Sequence, residues 1–331
     1  MGETRTARTA GPPARDGGAG TDGRTQPPGS ARHGTALLLP VLLVAGGLFS
    51  QQFGAAVAAL LFPQAGAAGM VSLRLALSAL VLLAFCRPAI RGYRREDWLV
   101  VAGFGLALGL MNMSFYQAID RIPLGAAVTL EVLGPLALAV VAARRRIAWL
   151  WAGLALAGVT LLGRAGFGEL NFAGVAFALG AAAMWAAYIL FSARAGSRFP
   201  KIDGLALAMA LGALISLPFG VAEAGATLVQ PHILALGAGV ALLSSVLPYS
   251  LELLALRRMP AATFAVLLSL APAIAATAGF LVLGQSMNLL EVLAIALVVT
   301  ASAGAVRTSE RRPATGTQRG AQTAPRTEPE V

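Results

Sequence analysis

The sequence predicts an all-α polytopic membrane protein with ten transmembrane helices. Ten apolar stretches fill the chain from about residue 35 to 306, and each has roughly the twenty residues that a helix needs to cross a ~30 Å hydrocarbon core. Charged residues make up 12% of the chain, against about 25% in soluble domains, and they are concentrated in the tails and in the gaps between the stretches. These observations exclude a soluble fold and make the lipid bilayer the expected surroundings.

The boundaries of the spans follow from where the apolar runs stop. Segments rich in glycine, proline and arginine precede and follow them, and these predict disordered cytoplasmic tails at 1–34 and 307–331. The predicted spans are 36–62, 67–86, 98–118, 124–143 and 147–163 in the first half, and 172–192, 204–222, 231–256, 261–284 and 287–306 in the second.

The distribution of positive charge predicts the orientation. The gaps after the odd-numbered spans contain only Arg121 and Arg164, and all other gap arginines and the one lysine follow even-numbered spans. Because Lys and Arg accumulate on the cytoplasmic side, the even-numbered gaps and both termini are predicted to be cytoplasmic. The basic residues of those gaps are Arg87, Arg91, Arg94, Arg95, Arg144, Arg145, Arg146, Arg194, Arg198, Lys201, Arg257 and Arg258. The net charge of +10 therefore lies in tails and loops, without interleaved aromatic residues, and no nucleic-acid partner is expected.

The two halves of the chain match each other at a constant offset of 137 positions. The matched pairs include Pro123 with Pro260, Pro135 with Pro272, and Arg121 with Arg258. Since the two arginines fall in gaps on opposite sides of the membrane, the second unit is inverted relative to the first. The sequence thus predicts two inverted five-helix repeats, 35–165 and 166–306, an arrangement typical of secondary transporters.

Pro135 and Pro272 are predicted to interrupt the fourth and ninth spans near mid-membrane. Proline lacks a backbone N–H, so each leaves a carbonyl that needs protein or water as its partner. Matched weak points in the two halves point to a substrate site between them. The alternative is that both prolines only kink helices for packing.

Two carboxylates lie inside predicted spans, Glu131 in the fourth and Glu252 in the eighth. An ionised acid at mid-bilayer costs about 2.5–3.5 kcal/mol on insertion scales, so each is a candidate for proton coupling. The alternative is a neutral acid that only joins two helices by a hydrogen bond. Arg74, the basic residue within the second span, is expected to form a structural ion pair or to extend towards the outer surface.

Uncharged polar side chains group at helical spacing and predict a substrate cavity. Ser245, Tyr249 and Glu252 form one stripe down the eighth span, and Asn112 and Tyr116 lie one turn apart on the third. Further cavity candidates are Gln51 on the first span and Trp185 and Tyr188 on the sixth. The alternative for each is an interhelical hydrogen bond, worth about 0.6 kcal/mol on average.

Motifs of other protein classes are missing from the sequence. Cys86 is the one cysteine, and only two histidines are present, so neither a disulfide framework nor a metal site is expected. No phosphate-binding GxxxxGK[ST] loop, HExxH or GxSxG occurs. We therefore expect no ATP hydrolysis, no cofactor and no enzymatic activity.

Three stretches resemble the EamA-type group of the drug/metabolite transporter superfamily, and more narrowly its bacterial inner-membrane threonine and homoserine exporters. They are SQQFGAAVAALLFPQAGAAGMVSLRLALSAL from Ser50, NMSFYQAIDRIPLGAAVTLEVLGPLALAV from Asn112, and LPYSLELLALRRMPAATFAVLLSLAPAIAATAGFLVLGQ from Leu247. The resemblance covers about residues 36–306. It implies ten helices in two inverted repeats around a central cavity.

The resemblance also assigns residues. Glu131 in TLEVLGP and Tyr249 to Glu252 in PYSLE match the family pattern. Ala271 stands where these exporters usually have Glu, and Gln285 stands where the superfamily usually has Glu. These departures leave the coupling ion and the substrate open.

The sequence as a whole favours a secondary transporter of the bacterial plasma membrane. It would export small amino acids such as threonine and homoserine, or related metabolites, by alternating access and in exchange for protons. Export of lipophilic drugs or aromatic metabolites is the alternative, which would use Trp185 and Tyr188. A non-transporting assembly or sensor protein is the contrasting class. The direction of transport and the oligomeric state stay open.

Overall fold

The structure, a computed structural model, describes residues 30–88, 90–143, 146–164, 171–200, 202–256, 258–259 and 261–309, and all regular structure in these ranges is helical. The helices are Ser30–Leu60 (α1), Phe62–Ala65 (α2), Ala67–Cys86 (α3), Arg95–Ile119 (α4), Leu124–Glu131 (α5), Leu133–Ala143 (α6), Arg146–Arg164 (α7), Phe172–Arg198 (α8), Asp203–Ala224 (α9), Pro231–Ala241 (α10), Leu247–Leu256 (α11), Ala261–Leu268 (α12), Ala271–Leu283 (α13) and Leu289–Ser309 (α14). A 3₁₀ turn at Gly225–Val229 follows α9, and a π-helical turn at Leu242–Val246 joins α10 to α11.

Nine helical segments within these ranges are long and apolar enough to cross a membrane. They correspond to nine of the ten predicted spans. The remaining one, predicted at 147–163, is α7, whose apolar part Arg146–Leu162 is shorter than the other nine. Basic residues at both of its ends limit the length of this apolar segment.

The first and last helices extend into the segments predicted as disordered tails. α1 begins at Ser30 and α14 continues to Ser309, so residues 30–34 and 307–309 are helical; residues 1–29 and 310–331 lie outside the described ranges. At the C-terminal end the Trp151 indole N–H donates to the Thr308 hydroxyl over 3.0 Å. This bond fastens the last turn of α14 to α7.

Two of the membrane-crossing segments are interrupted at their prolines. α5 ends at Glu131, one residue of turn follows, and α6 carries Pro135 in its first turn. α12 ends at Leu268, a turn at 269–270 follows, and α13 carries Pro272 in its first turn. Proline in these positions removes the N–H that would continue the preceding helix, and its ring clashes with the carbonyl four residues earlier.

Close helix packing depends on small residues. α4 and α9 approach so closely that a Cβ on Gly109 would lie 3.1 Å from the Gly212 Cα. The main core joins α1, α3, α4, α5, α8, α9, α10 and α13. Small side chains allow helices to approach within a membrane, where dispersion and hydrogen bonding replace the hydrophobic effect.

Burial differs between the two halves of several helices. Every residue of α3 from 67 to 75 is buried, whereas 80–86 are half-buried or exposed. All residues of 124–130 in α5 are buried against neighbours that include α13, whereas α6 is partly exposed along its length. The half of the bundle that contains the start of α3 and α5 is therefore the tightly packed one.

Candidate functional site

The π-helical turn supplies backbone acceptors in the middle of the bundle. A π turn widens the hydrogen-bonding pattern of the helix and frees carbonyl groups, and such turns recur at functional sites. The Ser50 hydroxyl on α1 donates to the Leu243 carbonyl over 2.6 Å. The Nη2 of Arg74 on α3 donates to the Ser244 carbonyl over 3.0 Å. Two neighbouring helices are thus attached to this turn.

Arg74 lies at the centre of a polar cluster. The residue is 5% exposed, and its Nε donates to the Ser245 hydroxyl over 3.2 Å. Its Nη1 donates to the Tyr116 hydroxyl over 3.2 Å, while the guanidinium carbon lies 5.5 Å from the centre of the Tyr116 ring. Tyr116 is fully buried on α4. The guanidinium is therefore held by α4 and the π turn, and it does not extend to a surface.

The partners of Arg74 in this structure are neutral oxygen atoms. Among the described residues, no carboxylate lies within 4.0 Å of the guanidinium, so the expected structural ion pair is not formed here. Glu131 and the Tyr249 hydroxyl lie near enough to interact with it electrostatically. A carboxyl group therefore lies near the guanidinium without direct contact.

Glu131 occupies the helix break. It is the last residue of α5 and is half-buried, whereas the seven residues before it are buried. Pro135 lies four positions later and has no N–H to offer the Glu131 carbonyl. Both the backbone and the side chain of Glu131 are thus available for partners other than its own helix.

Glu252 lies on α11, on the side that packs against α1. A Cβ on Gly47 would lie 3.7 Å from the Glu252 Cγ, so this glycine makes room for the acid. Glu252 is half-buried and lies within electrostatic range of Tyr188 and Tyr249. Tyr188 in turn packs on Phe104 with the ring centres 5.1 Å apart. The two acids therefore have different surroundings, and of these two it is Glu131 that interacts with Arg74.

The other candidate residues take less central positions. Asn112 is buried and donates its amide to the Leu108 carbonyl of its own helix over 2.9 Å. Gln51 and Trp185 are half-buried, and Trp185 packs against the main core. The structure thus brings together Arg74, Tyr116, Glu131, Ser245, Tyr249, Tyr188 and Glu252, and leaves Asn112 bonded within α4.

Sequence reasoning missed the participation of the Ser244 backbone. Its carbonyl accepts from Arg74, and its residue is 2% exposed. The consecutive serines in the apolar segment LLSSVL were the available signal. Nothing in that segment distinguishes a π turn from a regular α-helical turn, because it contains neither proline nor glycine.

Two acceptors fasten helix N-termini at the tightly packed half of the bundle. The Glu223 Oε2 accepts from the Ala68 N–H over 2.6 Å and from the Gly69 N–H over 3.1 Å at the start of α3. The Gln285 Oε1 accepts from the Leu124 N–H over 3.0 Å at the start of α5. These side chains satisfy amides that the first turn of a helix leaves without partners. Gln285 therefore caps the start of α5 with an uncharged side chain.

A separate cleft of about 400 Å³ opens between α6 and α8. It is lined by Leu133, Gly134, Ala137, Leu138, Val141, Ala182, Ala183 and Ala186. None of these side chains carries a polar group, so the cleft offers no recognition of a charged solute.

Comparison with known proteins identifies relatives over most of the chain. Residues 172–307 match the EamA-like transporter family. The chain is 41% identical over 288 residues to the threonine/homoserine exporter RhtA of Salmonella typhimurium (strain SL1344), spanning 86% of this chain and 97% of the exporter. It is 40% identical over 283 residues to RhtA of Escherichia coli (strain K12), spanning 85% of this chain and 95% of that exporter.

Similarity extends more weakly to other proteins. The uncharacterized transporter YvbV of Bacillus subtilis (strain 168) is 28% identical over 208 residues, spanning 56% of this chain and 62% of that protein. A protein of known crystal structure superimposes with a TM-score of 0.54 at 19% identity, covering 84% of this chain and 98% of that chain. At that identity the likeness concerns the fold alone.

Proposed function

The chain belongs to the EamA-like transporter family, and on that basis we propose that it is a secondary transporter that exports small amino acids of the threonine and homoserine kind. The main support is the relation to the RhtA exporters, which the chain matches along nearly their whole length. A cluster of one guanidinium, two carboxylates and several hydroxyls inside the bundle suits a small polar solute. The apolar cleft between α6 and α8 does not.

The proposed architecture is two inverted five-helix repeats, 35–165 and 166–306, with α7 as the fifth crossing helix. Helix breaks at Val132 and Ser269 support it, because these positions are separated by the same offset of 137 as the two prolines. Helix contacts support it too. α3 packs on α10 as α9 packs on α4, and α1 packs on α13 as α8 packs on α6. A two-fold axis in the membrane plane requires each contact between a first-half helix and a second-half helix to recur with the two halves interchanged.

We further propose that both termini are cytoplasmic and that the membrane is the bacterial inner membrane. The support is the distribution of basic residues between even- and odd-numbered gaps. Arg144, Arg145, Lys201 and Arg257, which contribute to that count, lie outside the described residues. In this orientation the tightly packed starts of α3 and α5 face outwards.

Alternating access is supported by the difference in burial along the helices. In the proposed orientation, the outer part of α3, from 67 to 75, is buried, whereas residues 80–86 of its inner part are half-buried or exposed. Glu131, at its break, is the first half-buried residue after seven buried ones. We infer from this pattern a conformation that is closed towards the outside.

Proton exchange is proposed to use Glu131, with Glu252 as a second acid. An acid in a membrane interior favours its neutral form, so a carboxyl group there can change charge as its surroundings open to one side or the other. One proton moving inwards across ~100 mV yields about 2.3 kcal/mol, which sustains roughly a fortyfold solute gradient. That gradient is sufficient for export without ATP.

The test uses proteoliposomes loaded with threonine, homoserine and other small amino acids under an imposed pH gradient. We expect gradient-driven movement of at least one of them, and loss of that movement in Glu131→Gln. The matched control is Glu291→Gln, at the start of α14, where the acid accepts from the Asn288 N–H over 2.9 Å and glutamine supports the same cap. Transport by folded Glu131→Gln at the wild-type rate would contradict the assigned coupling role.

The other functional classes give different results in the same vesicles. Movement of aromatic or cationic drugs without movement of any amino acid would support the lipophilic-exporter alternative. Folded protein that moves none of these solutes would support a non-transporting role, in which the acids only pack.

A further inference from the structure

The Arg74 guanidinium has unused hydrogen-bonding capacity at a fixed position. A guanidinium carries five N–H donors, one on Nε and two on each Nη. Nε, Nη1 and Nη2 each make one bond, to Ser245, Tyr116 and the Ser244 carbonyl respectively. One N–H on each Nη is left, and a pair of this kind matches the two oxygens of a carboxylate.

The charge of Arg74 is also not neutralised by contact. Burial of an ion is unfavourable unless it is paired, and here no described carboxylate lies within 4.0 Å. Glu131 is in electrostatic range but not in contact. The guanidinium and the Glu131 carboxyl group therefore interact without direct contact. When Glu131 is ionised, the pair offers opposite charges to a ligand that carries both.

The guanidinium is oriented before any ligand arrives. Its three bonds go to α4 and to two residues of the π turn, and the side chain is 5% exposed. A site whose donors are already fixed loses little freedom on binding. A purely structural arginine would be satisfied by further contacts to its own protein, whereas this one keeps its paired donors.

We propose that Arg74 binds the α-carboxylate of the transported amino acid, with the α-ammonium directed to Glu131. This inference rests on the proposed export of amino acids. It assigns the residues that recognise the amino acid. The substrate ammonium and a proton then compete for one carboxylate, since Glu131 holds either but not both. That competition supplies a physical reason for exchange of an amino acid against a proton.

The test compares threonine with two close analogues, threonine amide, which lacks the carboxylate, and N-acetylthreonine, which lacks the ammonium. Binding to the purified full-length protein is measured by ligand-induced shift of its thermal unfolding. For the wild type we expect each analogue to bind about 10- to 100-fold more weakly than threonine, the loss typical of a hydrogen bond to a charged group.

The variant Arg74→Gln separates recognition from packing. We expect threonine to bind about 10- to 100-fold more weakly to it, while threonine amide binds as it does to the wild type. A structural role predicts equal losses for both ligands. The matched control is Ser72→Ala, which removes a 2.7 Å bond from α3 to the Ser216 carbonyl outside the cluster and should leave both affinities unchanged.

Outcomes distinguish this proposal from the function on which it rests. If the wild type moves threonine but binds threonine amide equally well, Arg74 is not the carboxylate anchor, and the exporter assignment stands. If the wild type moves no amino acid, both fail together. If Arg74→Gln does not fold, the affinities of the wild type for threonine and threonine amide are compared instead. Weaker binding of the amide supports a carboxylate anchor, and equal binding contradicts it.

Discussion

Substitution of Gly134 by alanine tests the close contact at the helix break. A Cβ at this position would meet the backbone of α8, at 2.6 Å from the Ala182 carbonyl carbon and closer still to its oxygen. Non-bonded carbon atoms prefer about 3.5–4.0 Å, so α6 and α8 would have to separate by about 1 Å. Overpacking of this kind costs about 1–3 kcal/mol, and the backbone cannot move aside as a flexible side chain would.

Gly153 on α7 provides the matched control, because a Cβ there would meet nothing within 4 Å. Gly153→Ala should gain up to about 1 kcal/mol of helix propensity. Gly134→Ala gains the same helix propensity but also introduces the clash. Its free energy of unfolding should therefore be about 1–3 kcal/mol lower than that of Gly153→Ala. Thermal unfolding of the detergent-purified proteins measures this difference. If Gly134→Ala is as stable as Gly153→Ala, the close contact between α6 and α8 is wrong.

Three further substitutions test the polar contacts at helix ends, each by the unfolding midpoint. Glu223→Ala removes the acceptor of two amides at the start of α3 and should destabilise by about 0.5–2 kcal/mol, whereas no change would exclude that cap. Gln285→Glu places a negative charge at the start of α5 and should stabilise by about 0.3–1 kcal/mol at neutral pH and low salt; destabilisation would contradict the contact with the Leu124 N–H. Arg198→Gln removes a 2.9 Å ion pair with Asp97 at the surface and should lower the unfolding midpoint only slightly, with a smaller effect in high salt; a large, salt-independent loss would contradict a solvated pair.

The family and the membrane-crossing helices could be predicted from the sequence because both depend on local patterns. Hydropathy over about twenty residues identifies a span whatever its neighbours are, and within the described part of the chain nine long apolar helices lie where spans were predicted. The family resemblance is confirmed by relatives that match most of the chain. α7 was the weakest prediction, since charge at both of its ends shortens its apolar part.

The partners of the polar residues could not be predicted in the same way. Arg74 was expected to form an ion pair or to extend towards the outer surface, but its partners come from the π turn, 170 residues away, and from Tyr116. Those contacts depend on the depth and rotation of three helices, which a single sequence does not specify. Tyr116 was assigned to a cavity, and its position beneath the guanidinium required the structure.

The proposed repeat is symmetric in its backbone but not in its charge, and this difference bears on coupling. The position that corresponds to Glu131 at the offset of 137 is Leu268, the last residue of α12 before the second break. Two acids at equivalent breaks would each have to be neutralised in a membrane interior, at a cost of about 2.5–3.5 kcal/mol for each one left ionised. Among the described residues, Glu131 is the acid that interacts electrostatically with the Arg74 guanidinium. When Glu131 is ionised, the charges of this pair sum to zero, and they still do when a zwitterionic amino acid binds to both groups. In the proposed transport cycle, this asymmetry follows from charge balance around one solute, and the matched breaks permit the motion that exposes the solute to either side.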